Sequence, residues 1–405
     1  MNVPLLRKLD YWLGIPLCGV LTACRRIFGS SKEIPGGKIR SILFVKLAEQ
    51  GSTVLARPAI LRAIEEAGRD HVHFLVFDEN RHILDAMNLV PPGNIHTVPS
   101  SGAFDTLLGC LAAVRVLQKL EFDAAVDLEF FSRGTAVLSY LSGAKRRAGY
   151  HVPELTGPYR GDLFTERLSF NPVLHTEDGF LSLVEAAISS PPYAPALDWR
   201  PPERFERGPV FSPSWEDLEW LKNVREEFHA SGAPLILLNT NAGELLPLRR
   251  WPGENFVALA KNLLERYPEI KIAFTGTGGE AGLVEALAAK TGSSRCFSLA
   301  GRTSISRLLA LMENSEALVT SDSGPSHFAS LTGIGTVTLF GPETPLLFAA
   351  RTARNRVITS GLACSPCMNA FNGRSSNCKR NICMERITVE EVFEAVCRIY
   401  EERKR

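Results

Sequence analysis

The run from Glu316 to Gly341, EALVTSDSGPSHFASLTGIGTVTLFG, leaves this chain few folds to choose from. Ala317 to Val319 is a short apolar stretch of β type, Thr320 to Pro325 is a polar turn, and Ser326 to Leu331 opens a helix. Thr336 to Phe340 then returns to β character and stops at Gly341-Pro342. Strand, tight turn, helix, strand is the building unit of a parallel sheet covered by helices. A helix start leaves backbone N–H groups unpaired and carries partial positive charge, so this turn is a seat for a phosphate. Gly324 admits a ligand close to the backbone, and Pro325 suits the first helical position. The same residues also serve a simpler purpose, with Asp322 or Ser323 as an N-cap and His327 as a satisfied buried histidine.

The alternation extends over most of the chain. Ser41 to Leu47 is a near-continuous apolar strand, as expected for a sheet covered on both faces. A turn at Glu49-Gln50-Gly51-Ser52 follows, then a helix to about Ala67, a strand His73 to Phe77, a helix around Ile83 and a strand Ile95 to Val98. A helix Phe104 to Leu120 and a strand Ala124 to Leu128 complete the first half. Pro-rich sequence from Ser190 to Pro202 reads as a linker. Beyond it come strands at Leu235 to Asn239, Ile270 to Phe274 and Cys296 to Ser298, separated by helices at Gly253 to Arg266, Glu280 to Lys290 and Ser304 to Met312. The expectation is an α/β chain of two doubly wound, Rossmann-like halves facing a cleft, with ligands at the carboxyl ends of the strands.

With 405 residues, 45% hydrophobic and 22% charged, there is material for two full cores. A net charge of +1 gives no case for nucleic-acid binding. Residues 11–24 form an uncharged, mostly apolar run that includes Tyr11 and Trp12 and is flanked by Arg7, Lys8, Arg25 and Arg26. It is shorter than the about 20 residues that span a bilayer. It fits a segment lying on an anionic membrane surface, and a helix packed on the protein's own body is the other reading. Leu21-Thr22-Ala23-Cys24 mimics a lipoprotein cleavage box, but Asp10 before it and the arginine pair after it argue against a secretory signal. Pro35-Gly36-Gly37 reads as a linker.

The motif DSGPSHFASLTGIGTVTLFGPETP resembles the donor-site signature of glycosyltransferase family 9, the ADP-heptose:lipopolysaccharide heptosyltransferases, and the similarity runs from roughly Ile39 to Val396. The resemblance implies the GT-B fold and an inverting, metal-independent transfer of a sugar from a nucleotide-diphosphate donor to a surface glycan. It implies a cytoplasmic enzyme at the inner face of the membrane. On this reading, 1–36 is a membrane-associating segment, 37–195 the acceptor domain, 203–387 the donor domain, and 388–405 a helix crossing back onto the first domain.

Such chemistry needs charge stabilisation on the leaving diphosphate and a base for the acceptor hydroxyl. By similarity, Asn241 in a strand-end loop and Arg249, two places before Trp251-Pro252, contact the diphosphate, although the family often has Lys at the latter place. Glu280, after Phe274-Thr275-Gly276-Thr277-Gly278-Gly279, matches a residue on the donor's nucleoside side. Asp322, Ser323, Gly324 and His327 match the signature itself. The first domain departs from the pattern. Family members carry a Gly-Asp pair after the first strand, with the Asp as proposed base, whereas this chain has Gly51-Ser52. A serine hydroxyl is too weak an acid to act as a base without help. Glu49 in the same turn is the candidate replacement; the other reading makes it a surface turn residue and Ser52 only the helix N-cap. Arg133, just past a strand end, is the best-placed basic residue for an acidic acceptor, and Lys145-Arg146-Arg147 reads as a solvated face.

Nine cysteines are spread through the chain, and four of them, Cys364, Cys367, Cys378 and Cys383, gather in one stretch. Four thiolates at such spacing wrap a structural zinc, and similar autotransporter heptosyltransferases carry iron there. Free thiols or two disulfides are the other readings. No cofactor is needed for the sugar chemistry.

Overall fold

Four-residue runs such as Ile-Leu-Phe-Val at 42–45 have no polar face to show to water, so they form strands only inside a sheet covered on both sides. The computed structural model of the chain describes residues 3–28, 38–152, 158–189, 210–240 and 247–404, the side chains of 3–7 and 404 excepted. The expected linkers at Pro35-Gly36-Gly37 and Ser190 to Pro202 lie outside the described residues, as does Asn241.

The chain divides into two units, Met1–Phe205 with Ala370–Arg374, and Glu206–Asn369 with Ser375–Arg405. The first holds β1 (Ile42–Val45), β2 (Val72–Phe77), β3 (Ile95–Val98), β4 (Ala124–Asp127), β5 (Arg146–Tyr150) and β6 (Glu166–Leu168). All pair in parallel, in the order β3-β2-β1-β4-β5-β6. The second holds β7 (Leu235–Asn239), β8 (Lys271–Thr275), β9 (Cys296–Ser298), β10 (Ala317–Ser321), β11 (Gly335–Phe340) and β12 (Asn355–Thr359). Its parallel order, β12-β11-β10-β7-β8-β9, is the same order once each unit's strands are numbered from its own first. In both sheets the strand order therefore reverses between the first and fourth strands, at β1/β4 and β7/β10, where ligands of such sheets bind.

The N-terminal run is two helices, Val3–Trp12 and Gly14–Phe28. One side packs on the first unit. Cys18 and Thr22 are buried, Thr22 Oγ1 accepts from Asp162 N at 2.8 Å, and Arg25 Nη1 donates to Asp162 O at 2.5 Å. Gly14 is required by this packing, because a Cβ there would stand 2.6 Å from Arg133 Cβ. The other side leaves Tyr11, Trp12, Leu13, Leu17, Val20, Ile27 and Phe28 exposed. Among the described residues no helix is long and apolar enough to cross a membrane.

Two expectations are corrected. The last helix, Val389–Lys404, does not pass to the first unit. Val392, Val396, Ile399 and Tyr400 are buried in the second unit's own core, with Trp251, Phe256 and Leu263. Its apolar stripe matches the helix Gly253–Arg266, which leaves it nothing to gain by crossing. Arg146 and Arg147 are not a solvated face but the start of β5. Arg146 is buried with Nη1 on Ala187 O at 3.0 Å, and Arg147 spends its guanidinium on Leu163 O and Ala144 O at 2.8 and 2.6 Å.

Candidate functional site

In the second unit, three strand ends meet through hydrogen bonds. Asn239, at the end of β7, donates from Nδ2 to Thr275 Oγ1 at 3.3 Å and accepts on Oδ1 from Thr320 Oγ1 at 3.3 Å. Thr320 Oγ1 also lies 3.2 Å from Ser323 Oγ, which bonds Ser321 O at 3.1 Å. This network fixes the turn that carries Asp322, whose N–H donates to Leu339 O at 3.0 Å. Asp322 is 1% exposed. A carboxylate so buried must be paired, and Arg249 Nη1 donates to its Oδ2 at 3.1 Å, with His327 Nε2 at 3.9 Å from Oδ1. Arg249, from the short turn Pro247–Arg249, thus reaches the β7/β10 reversal, and among the described residues none accepts from its buried Nε.

The helix after Asp322 is shorter than the sequence suggests. Gly324–Phe328 is followed by a 3-10 turn, Ala329–Leu331. Five residues sum to a small dipole, so the positive charge at this end of the sheet belongs to Arg249 more than to the helix. A Cβ at Gly324 would press on the Phe328 ring at 3.2 Å, so the ring would have to give by a few tenths of an ångström. Ser323 and Ser326 cap the helix reciprocally. Glu280 caps the next turn, with Oε2 accepting from Thr277 N at 2.8 Å.

In the first unit, Glu49 follows β1 in a left-handed conformation, φ 67°. Non-glycine residues hold this region only where their surroundings impose it. Here Glu49 O accepts from Thr53 N, Ser52 Oγ and Thr53 Oγ1 at 3.1, 3.0 and 3.3 Å, which ties the turn to the helix Gln50–Leu55. Gly51 and Ser52 are buried within that helix, and Ser52 Oγ also bonds Glu49 Oε2 at 3.3 Å. Glu49 Oε1 accepts from Arg374 Nη1 at 2.6 Å.

Arg133 does not face an acceptor. It is 6% exposed, its Nη1 donates to Asp10 Oδ2 at 3.2 Å, and its guanidinium covers the Tyr11 ring. Asp10 Oδ1 further accepts from Ser132 Oγ, Arg133 N and Gly134 N at 3.2, 2.9 and 2.8 Å, so the N-terminal helix caps the helix Arg133–Leu141.

Other charges escaped the sequence reading. Lys46, wholly buried at the end of β1, donates to Glu129 Oε1 and Ala48 O at 3.0 and 2.6 Å; Glu129 follows β4 and also accepts from Ala48 N at 3.0 Å. A lysine ending an apolar strand was the available signal. Asp127, at the end of β4, pairs with buried Arg160. Phe131, Phe170 and Phe371 pack against one another, two pairs edge to face and the Phe131–Phe371 pair tilted, with ring centroids 5.5 to 5.9 Å apart.

The four clustered cysteines form no disulfide, and Cys364 and Cys378 are exposed. Burial chiefly, and then the neighbouring Cys367, Cys378 and Cys364, push the Cys383 thiol up. Among the described residues, the group of three metal-ligating side chains whose ligand atoms lie within 4.8 Å of one another is His175, Glu177 and Asp178, at the start of the helix Thr176–Ile188.

Comparison with known proteins gives the site its setting. Residues 207–374 match the sequence model of Glycosyltransferase family 9 (heptosyltransferase). The chain is 33% identical over 131 residues to lipopolysaccharide heptosyltransferase 2 of Salmonella typhimurium, covering 32% of this chain and 37% of the relative. It is 32% identical over 117 residues to the Escherichia coli K12 protein of the same name, covering 28% and 33%. The matched stretch thus spans about a third of these relatives' length. The whole fold is similar to the E. coli ADP-heptose lipopolysaccharide heptosyltransferase II structure, at TM-score 0.68 and 18% identity over 90% of this chain and 100% of that one. A family 9 glycosyltransferase from Veillonella parvula gives TM-score 0.68 and 18% identity over 90% and 97%. The two six-stranded parallel sheets are those of the GT-B fold.

Proposed function

We propose, from the premise that residues 207–374 are a family 9 glycosyltransferase region, that this chain transfers heptose from ADP-heptose to a lipopolysaccharide-type acceptor with inversion at the sugar carbon. The carrying observation is the Arg249–Asp322–His327 cluster at the β7/β10 reversal. Arg249 takes the charge of the leaving diphosphate, one of its five donors being spent on Asp322 to hold it in place. Asn241, Ser323, Gly324 and Glu280 complete the donor side, with Glu280 toward the nucleoside. In the first unit Glu49 removes the acceptor's proton, in the turn where family members carry an aspartate and this chain has Ser52. Gly51 and Ser52 hold that turn's shape.

The acceptor is a membrane glycolipid at the inner face of the cytoplasmic membrane. The exposed apolar side of the N-terminal helices, with the exposed Arg26 beside it, lies on that surface while Asp10, Cys18 and Arg25 fasten the other side to the enzyme. Four thiols on one short stretch suit a structural zinc or iron. Such an ion would draw the sulfurs together and order the stretch, and no step of the transfer uses it.

Thermal unfolding against ADP-heptose, ADP and the GDP-, UDP- and dTDP-sugars tests the donor. At about 100 times its dissociation constant a ligand adds about 2.7 kcal/mol, a shift of several degrees. ADP or ADP-heptose giving the shift, and Asp322→Ala abolishing it, supports the reading; a different nucleotide winning removes the heptosyl assignment. A second reading, a binding protein that kept the donor site without turnover, draws on the serine at position 52. Binding of ADP-heptose without transfer to any truncated lipopolysaccharide would favour it.

A further inference from the structure

Glu49 and Arg374 are 325 residues apart in sequence, yet Arg374 Nη1 lies 2.6 Å from Glu49 Oε1. Neither end is casual. Both residues sit in the left-handed region, φ 67° and 53°, a conformation that a non-glycine residue keeps only where the surroundings fix it. Arg374 is the shielded partner, its side chain 13% exposed, while Glu49 stays 33% exposed. The segment that delivers Arg374, Ala370–Arg374, counts with the first unit although the chain on both sides of it belongs to the second. An aromatic anchor seats it. Phe371 packs on Phe131 and Phe170 with centroids 5.5 Å apart in each case. Phe131 follows β4, on the other side of the β1/β4 reversal from Glu49.

We infer that Arg374 is the positioning residue of the proposed base: held by the Phe371 anchor, it fixes Glu49 Oε1 and so aims the carboxylate. Oε2 then takes a longer bond, 3.3 Å from Ser52 Oγ, of a kind that an incoming acceptor hydroxyl can replace. A carboxylate on a free turn would sample several rotamers, and base catalysis needs the oxygen within hydrogen-bond reach of the proton it takes. The bond from Arg374 selects one orientation in advance, and a guanidinium serves better than an ammonium because its donors are fixed in a plane. Arg374 lies between Cys367 and Cys378 in sequence, so the cysteine-rich stretch gains a purpose that needs no chemistry at sulfur. It carries the arm that orients the base. This rests on Glu49 being the base.

The test follows ADP release from ADP-heptose with truncated lipopolysaccharide as acceptor, for the full chain and for Arg374→Met, Arg374→Lys, Glu49→Gln and the double variant Arg374→Met/Glu49→Gln. Misaiming a catalytic group by about 1 Å costs on the order of 10²-fold, so Arg374→Met is expected to lower kcat by about that factor. KM for the donor and the stabilisation by ADP stay as they were. Arg374→Lys recovers part of the loss, and in the Glu49→Gln background Arg374→Met costs nothing more. A normal kcat in Arg374→Met, or a loss that multiplies with that of Glu49→Gln, overturns the inference and leaves Arg374 a stability contact. Full turnover in Glu49→Gln removes the base assignment itself, and the role of Arg374 with it.

Discussion

The two sheets share one strand order and one place of reversal, yet their strand ends solve different problems. In the second unit the polar groups are local and sealed. Asp322 is 1% exposed, its turn is tied to Asn239 and Thr275 by neutral hydrogen bonds, and its counter-ion comes from the loop after the adjacent strand. In the first unit the turn after β1 keeps its carboxylate one-third exposed and takes its counter-ion from far along the chain. A site for a fixed, highly charged diphosphate gains from rigidity, because every donor must be aimed before the charge arrives. A site that must hand a proton from a variable hydroxyl to a base needs a carboxylate that can exchange partners.

The sharpest way to break this contrast is Glu49→Gln. Turnover should fall by about 10²–10⁴-fold, the usual weight of a general base, while ADP-heptose still raises the unfolding midpoint. Loss of both together would make the two sites one. Arg249→Ala should do the reverse at the donor end. It removes a charge-assisted contact worth about 1.5–3 kcal/mol, so donor affinity falls by roughly 10–100-fold in a titration, and Asp322, left buried and unpaired, lowers the midpoint without ligand. Arg249→Lys should restore charge but only part of the affinity. A smaller effect is expected from Asp10→Ala, which strips the acceptor from Arg133 N and Gly134 N. Loss of a cap costs about 0.5–2 kcal/mol, visible in denaturant unfolding of the first unit and absent from donor binding.

An effect of similar size is a pH slope that arises in the first unit. Burial, and then the facing His96, hold His73 down at about 4, against an unfolded value near 6.5; His96 is lowered too, by burial. Between those limits the unfolded chain binds the proton that the folded one refuses, so stability is full above about 6.5 and declines as pH falls toward 4. Chemical denaturation at pH 7 and pH 5 should show that decline, and His73→Phe should flatten it. An unchanged slope would place the acid sensitivity elsewhere.

The contrast also explains what could be read in advance. Strands with continuous apolar runs, β1 and β7, stood out because burial on both faces leaves a strand no polar side, and β10 and β11 stood out by their place around the polar turn. β6 and β12 did not. They are edge strands, Glu166–Leu168 and Asn355–Thr359, whose short runs mix charged and polar residues with apolar ones, and β5 was hidden by its two arginines. Asp322, Ser323, Gly324 and His327 stood out because they share one short motif, although nothing in it told that Asp322 would bind Arg249, 73 residues away. Glu49 was legible only as the carboxylate nearest to a missing one. Its partner was not, since no local pattern links residues that far apart. Arg133 misled for a related reason: its place at a strand end was right, but Asp10 had already claimed it.

Because Ala370–Arg374 completes the first unit, that unit is not contiguous along the chain. During synthesis, residues 1–205 leave the ribosome well before their last five companions, with most of the second unit made in between. Nascent chains of this unit therefore hold Glu49 without its arginine, and the orientation of that carboxylate, the base we propose, is the mark of a finished polypeptide. A chain terminated before residue 370 could keep the first sheet whole and still carry a carboxylate that points nowhere in particular.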